Sequence, residues 1–181
     1  MDVVVLTHHA KYEGSINVSH LPQAPRLQDM LNTPTMFNAT SGGVPTNQIF
    51  LHNAKVTYKA NGEVLKEEKP ALLVFPDIAE IVYEITHTFS TGQGLAVYER
   101  NKMPREQAHI SILTTGKRKL TGVLQLGLRL VTHPPVDKHF FALTDVELEE
   151  YDPEPVKTLI NVVLINYQHV ESVLFLEKPT P

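Results

Sequence analysis

Nine histidines are the residues of this chain best able to bind a metal or move a proton, and His8-His9, His87, His109 and His133 are spread widely enough to converge. Adjacent residues of a strand point to opposite faces, however, so His8 and His9 could not both ligate one ion from regular β structure. The one His-x-Glu, His169-Val170-Glu171, has no cysteines to complete a zinc site, and no His-Glu-x-x-His spacing is present, so no metal or other cofactor is expected. Thr40-Ser41-Gly42-Gly43 is loop-like but lacks the Gly-Lys-Thr/Ser ending that cradles phosphate. No Ser, His and Asp set stands in a recognisable motif. With no cysteine there is no thiolate nucleophile, disulfide or zinc finger. These residues predict a protein that is not an enzyme.

Two charged segments remain. Glu147, Glu149, Glu150, Asp152 and Glu154 alternate along a strand and turn and read as a solvated face. Lys117-Arg118-Lys119 reads as a hairpin tip. The net charge of −4 supplies no global field for phosphate backbones. The first nine residues hold four consecutive apolar positions without a basic lead, and no apolar run is long enough to span a bilayer. A soluble, cytoplasmic protein is expected, in which the sequons Asn17-Val18-Ser19 and Asn38-Ala39-Thr40 are chance occurrences.

The elements that must position these groups read as strands. Segments 3–7, 15–19, 48–58, 71–75, 110–114, 122–131, 140–149 and 157–166 are short, alternating or β-branched, and bounded by Gly, Pro and Asn. Asn61-Gly62 predicts a tight hairpin, since both residues tolerate positive φ. Asp152-Pro153-Glu154-Pro155 takes the corresponding place later in the chain. One helix is predicted over 25–32, where Leu27, Met30 and Leu31 share a face. Being so short, it must pack on the sheet or on a partner.

The chain also resembles itself. A shift of 92 positions lays Ile49-Phe50-Leu51-His52-Asn53-Ala54-Lys55-Val56 on Phe141-Ala142-Leu143-Thr144-Asp145-Val146-Glu147-Leu148, and the same shift, without a gap, lays 72–83 on 164–175. Upstream, Leu6-Thr7 before Gly14 matches Leu113-Thr114 before Gly122. The apolar and polar order recurs at constant spacing, as expected of two copies of one module. Residues 1–86 form the first, 87–108 a connection and 109–181 the second.

Each copy resembles the Sm-like fold, a five-stranded, strongly bent β-barrel with a helix. Ile49-Phe50-Leu51-His52-Asn53-Ala54 and Phe141-Ala142-Leu143-Thr144-Asp145-Val146 look like that family's aliphatic-x-Leu-x-Asp/Asn-Ala/Val strand. Segments 73–81 and 165–173 keep the spacing of its last two strands, which a very short turn joins so that the final strand pairs across the barrel. Small bacterial β modules with an Arg-Leu-x-Asp-x-Leu-Asn segment ahead of a Phe-x-Ala-Leu-Thr-Asp-Val strand are also similar. Here the first segment is Arg26 to Asn32, in the first copy only.

The resemblance implies an all-β fold with minor α, built as two tandem small barrels. It further implies assembly through strand edges, since barrels of this family pair edge to edge in rings. The family's RNA site is not matched: Gln48 and Phe140 stand where an Asn holds a base, and Val74-Phe75 and Asn166-Tyr167 replace an Arg-Gly pair. The expectation is therefore a structural or adaptor protein forming a homo- or hetero-oligomer with protein partners, with Leu27, Met30 and Leu31 as a partner-facing helix. The alternative is a divergent nucleic-acid binder using Lys117, Arg118, Lys119, Arg129, Phe140 and Tyr167.

Overall fold

The computed structural model describes residues 1–19, 26–33, 48–85, 107–125, 139–150 and 156–176. Ten strands dominate it: β1 Asp2–Thr7, β2 Ala10–Ser15, β3 Ile49–Ala60, β4 Glu63–Val74, β5 Ala79–Glu84, β6 Ala108–Thr114, β7 Lys119–Leu124, β8 Phe140–Glu150, β9 Val156–Asn166 and β10 Val170–Phe175. The one described helix is α1, Leu27–Leu31. All-β with minor α is therefore the class. The strands form a single antiparallel sheet in the order β10-β6-β7-β8-β9-β5-β1-β2-β3-β4. This sheet is not closed. Where two separate barrels were expected, β5 and β9 hydrogen-bond, and the halves merge into one surface ending on β4 and β10.

Each half is a meander whose fifth strand returns to pair with its first. β5 joins β1, and β10 joins β6, so the strand order of one half repeats in the other. Local signals explain much of this. Asn61 and Gly62 take φ of 53° and 84° and turn β3 into β4. β4 and β9 each end in a 3₁₀ turn, Pro76–Ile78 and Tyr167–His169. The flanking residues Phe75 (φ −77°, ψ 128°) and Asn166 (φ −77°, ψ 124°) hold almost the same conformation.

Those turns correct the predicted register. Asn53 and Asp145 share an unusual positive φ of 50° and 52°, and they are 92 positions apart, as the first block requires. Phe75 and Asn166 are 91 apart, as are β5 and β10. The second block is thus displaced by one residue from the gap-free alignment. In a strand that slip exchanges the two faces. β2 also lies earlier than the predicted 15–19, at Ala10–Ser15, because Thr7 Oγ1 accepts from the Ala10 amide at 3.1 Å and closes the turn at His8-His9. The Asp152-Pro153-Glu154-Pro155 turn, the end of the predicted strand 122–131 and most of the connection 87–108 lie outside the described residues.

Two apolar cores result, and both cross the boundary between the halves. The first gathers Val3, Val5, Ile16, α1, Ile49, Leu51 and Val82, together with Phe140 and Leu164 from the second half. The second gathers Ile110, Ile112, Leu120, Phe141, Leu143 and Val163, together with Val4, Leu6 and Ile81 from the first. Alternate residues of β1 therefore enter different cores, which is why Val3 to Leu6 are all buried.

Candidate functional site: the inner junction and the two open edges

The joint between the halves is short and dry at its centre. Ile81 pairs with Ile165 and Val82 with Leu164, and all four side chains are buried. At one end lies a buried ionic cluster. Glu80, 0% exposed, is a bulge residue skipped by the β1–β5 ladder. It accepts from Arg118 Nη1 at 2.8 Å and from the hydroxyls of Thr114 and Thr115 at 3.3 and 3.2 Å, with His8 Nδ1 3.7 Å away. Arg118 also donates to Glu150 at 3.0 Å and to the Thr7 carbonyl at 2.8 Å. A buried carboxylate is tolerated when so many donors surround it.

The 3₁₀ turns meet beside this cluster. Asn166 Nδ2 donates to the Pro76 carbonyl at 3.2 Å, and His169 Nε2 to that of Asp77 at 2.7 Å. On the far side, Asn32 at the end of α1 clasps β8. Its Oδ1 accepts from the His139 and Phe140 amides, both at 2.9 Å, and its Nδ2 donates to the Phe140 carbonyl at 3.0 Å. The Arg26–Asn32 segment and the Phe140 strand, far apart in sequence, are thus direct neighbours.

The residues singled out from sequence divide sharply. Leu27, Met30 and Leu31 are buried in the first core, so the helix spends its apolar face on this chain's own sheet. As a partner-facing surface that face is corrected: it has no exposure to offer. Lys117 sits in the β6–β7 turn with φ 60°. Arg118 is in the junction cluster, and Lys119 is 3.6 Å from Glu149. Phe140 is buried, and Arg129 lies outside the described residues. Tyr167 is half-buried against Phe141, ring centroids 4.6 Å apart, and burial pushes its phenol up to about 12. Of the acidic face, Glu147 and Glu149 hold Lys157 at 2.7 and 3.1 Å, which raises the lysine to about 12. His8 and His9 pack edge to face in a turn. Among the described residues no three potential ligands gather for a metal. His87, His133 and Thr40 to Gly43 lie outside them.

Assembly through strand edges was expected, but which strands and residues form the open edges, β4 and β10, was missed. With the halves superposed at a shift of 91, Leu164 at the joint corresponds to Leu73 on β4, and Tyr83 to Leu174 on β10. Leu164 is 3% exposed and Leu73 44%. Leu174 is 62% exposed, and Phe75, the counterpart of the buried Asn166, 53%. Ile78 and Phe175 are exposed as well. On the β4 side, Leu73, Phe75 and Ile78 are exposed where their counterparts Leu164, Asn166 and His169 meet the other half inside the molecule. The displaced register hid this from the sequence.

No protein-family model, curated protein or solved structure matches this chain. Among the described residues, no helix is long and apolar enough to cross a membrane.

Proposed function

We propose that this chain is a structural or adaptor protein, a tandem duplication of a small Sm-like module that assembles through the edges of its sheet. The observation carrying this reading is that, among the described residues, β4 and β10 are open strands: Leu73 and Phe75 are exposed where their counterparts Leu164 and Asn166 serve the inner joint, and Leu174 and Phe175 are exposed beside Val173, the counterpart of Val82. Strand edges with unpaired amides and carbonyls accept further strands, and a protein that leaves apolar side chains beside them invites such pairing. Three features support duplication: the repeated strand order, the matched φ of Asn53 and Asp145, and the matched 3₁₀ turns. The fifth strand returning across the first supports the Sm-like likeness of each half. The nucleic-acid alternative draws no support from its own residues, since Arg118 and Lys119 face carboxylates and Phe140 is buried.

The test is the particle size of the tagged chain in extract of its own host, compared with Leu73→Asp and Leu174→Asp variants whose folding is verified by circular dichroism. A particle well above 20.3 kDa that falls to that mass in the variants is expected. A wild-type chain already at that mass in the extract would overturn the reading.

A further inference from the structure

The edge reading leaves open what fills the edges. We infer that the occupant is a second copy of this chain, joined head to tail, with β10 of one copy antiparallel to β4 of the next in the register Val173 opposite Leu73 and Ser172 opposite Val74. This rests on edge assembly as proposed above and specifies its partner.

The chain already makes one joint of this kind within itself. β5 and β9 pair through Ile81 with Ile165 and Val82 with Leu164. β5 is the fifth strand of the first half and β9 the fourth of the second. Among the described strands, those with one open edge are the complementary pair: the fifth of the second half, β10, and the fourth of the first, β4. Each chain thus ends in one surface of each kind, the condition for heterologous, head-to-tail association.

Structural markers fix the equivalence to the residue. Glu80 is skipped by the β1–β5 ladder and Glu171 by the β6–β10 ladder. Gly14 and Gly122 sit at matching breaks in the next ladders, and a Cβ on either would lie within 3.0 Å of a backbone carbonyl, that of His52 or of Thr144. The last residues before the 3₁₀ turns, Phe75 and Asn166, share their torsions. Carrying the inner pairs across by 91 residues gives Ser172 with Val74 and Val173 with Leu73, and the flanking Leu174 then lies opposite Leu72. No other register preserves the inner geometry.

Chemistry agrees with the geometry. Exposed Leu73 would be covered as Leu164 is, and Leu174 as Tyr83 is. The outer part of β4, with Glu63, Lys66, Glu67, Glu68 and Lys69, is charged. That confines strand addition to its last residues, much as only Leu164 and Ile165 of β9 serve the inner joint. Glu171 is exposed, whereas its counterpart Glu80 is enclosed by the β6–β7 turn. The corresponding β1–β2 turn of the next copy carries the exposed His9, whose ring nitrogens can donate to that carboxylate, while His8 and Lys11 face Glu80 and Glu13 of their own chain.

The natural absence of cysteine makes the register directly readable. The full-length Leu73→Cys/Val173→Cys variant, oxidised at assembly concentration, is expected to give a ladder of multiples of 20.3 kDa on a non-reducing gel. Leu73→Cys/Phe175→Cys, displaced by two residues, should give about tenfold less, because its Cα atoms fall beyond the reach of a disulfide. Either single-cysteine variant should give no ladder. Equal ladders from both double variants, or efficient dimers from a single variant, would overturn the head-to-tail register. No cross-link despite a large, edge-dependent particle in host extract would overturn the second copy as occupant while leaving edge assembly standing. Monomers in both experiments would remove both.

Discussion

Glu80 and Glu171 occupy equivalent bulges in opposite settings, and the contrast makes their contributions measurable. Removing the Glu80 side chain takes the acceptor from the Thr114 and Thr115 hydroxyls and one of two carboxylate partners from Arg118, which is only 12% exposed and keeps Glu150 and the Thr7 carbonyl. Breaking one partner of a buried pair costs about 3–5 kcal/mol, so Glu80→Ala should lose that much in urea unfolding of the monomer, whereas Glu171→Ala should change it by under about 0.5 kcal/mol. Tyr167 supplies a pH signature. Its phenol is neutral in the folded chain up to about 12 against an ordinary 10.0, because burial disfavours the phenolate. A raised folded value means that its stabilisation is fully present below pH 10 and is lost as pH rises towards 12. Tyr58 and Tyr83 are raised as well, so ultraviolet titration should show several tyrosines ionising late, and Tyr167→Phe should remove the one near 12; unfolding should bring them back to the ordinary range. None of this was legible from the residue types, since Arg118 in a Lys-Arg-Lys run reads as solvated until the β5 bulge turns Glu80 towards it.

Among the elements, β3, β8, β9 and the Asn61-Gly62 hairpin follow from β-branched runs and turn chemistry and lie within a few residues of expectation, whereas β4 begins at Glu63, well before the expected 71–75, because its charged first half pairs with β3 out of the hairpin. β2 did not announce itself, because Ala10–Ser15 is largely polar and only its first residue is buried. The one-residue slip in the repeat has a related cause: Leu72 to Val74 and Val162 to Ile165 are unbroken apolar runs, and a run without alternation carries no register. The register is held instead by the bulges at Asn53 and Asp145 and the glycines facing them. A methyl at Gly122 would come within 2.8 Å of the Thr144 carbonyl, tighter than the 3.0 Å at Gly14. Gly122→Ala should therefore cost about 1–3 kcal/mol, and more than Gly14→Ala, when the two are compared by thermal unfolding. The short helix follows the same lesson. Its apolar spacing was plain, but the choice between sheet and partner depended on Asn32 reaching the Phe140 backbone across 108 residues of chain.

At the scale of the whole molecule, the described strands form one sheet that has used one edge-to-edge joint internally and, among the described residues, leaves the two complementary edges open. Its inner joint carries fixed polar contacts, Asn166 to Pro76 and His169 to Asp77. The outer surfaces carry Phe75 and Ile78 at those positions. An apolar outer joint without the buried ionic cluster would be weaker than the covalently linked inner one and set by concentration. The most direct measurement is the light-scattering mass of the purified chain across a concentration series, beside Leu73→Asp. The account predicts a wild-type mass rising to multiples of 20.3 kDa while the variant stays at that mass. A wild-type mass fixed at 20.3 kDa throughout the series would contradict it.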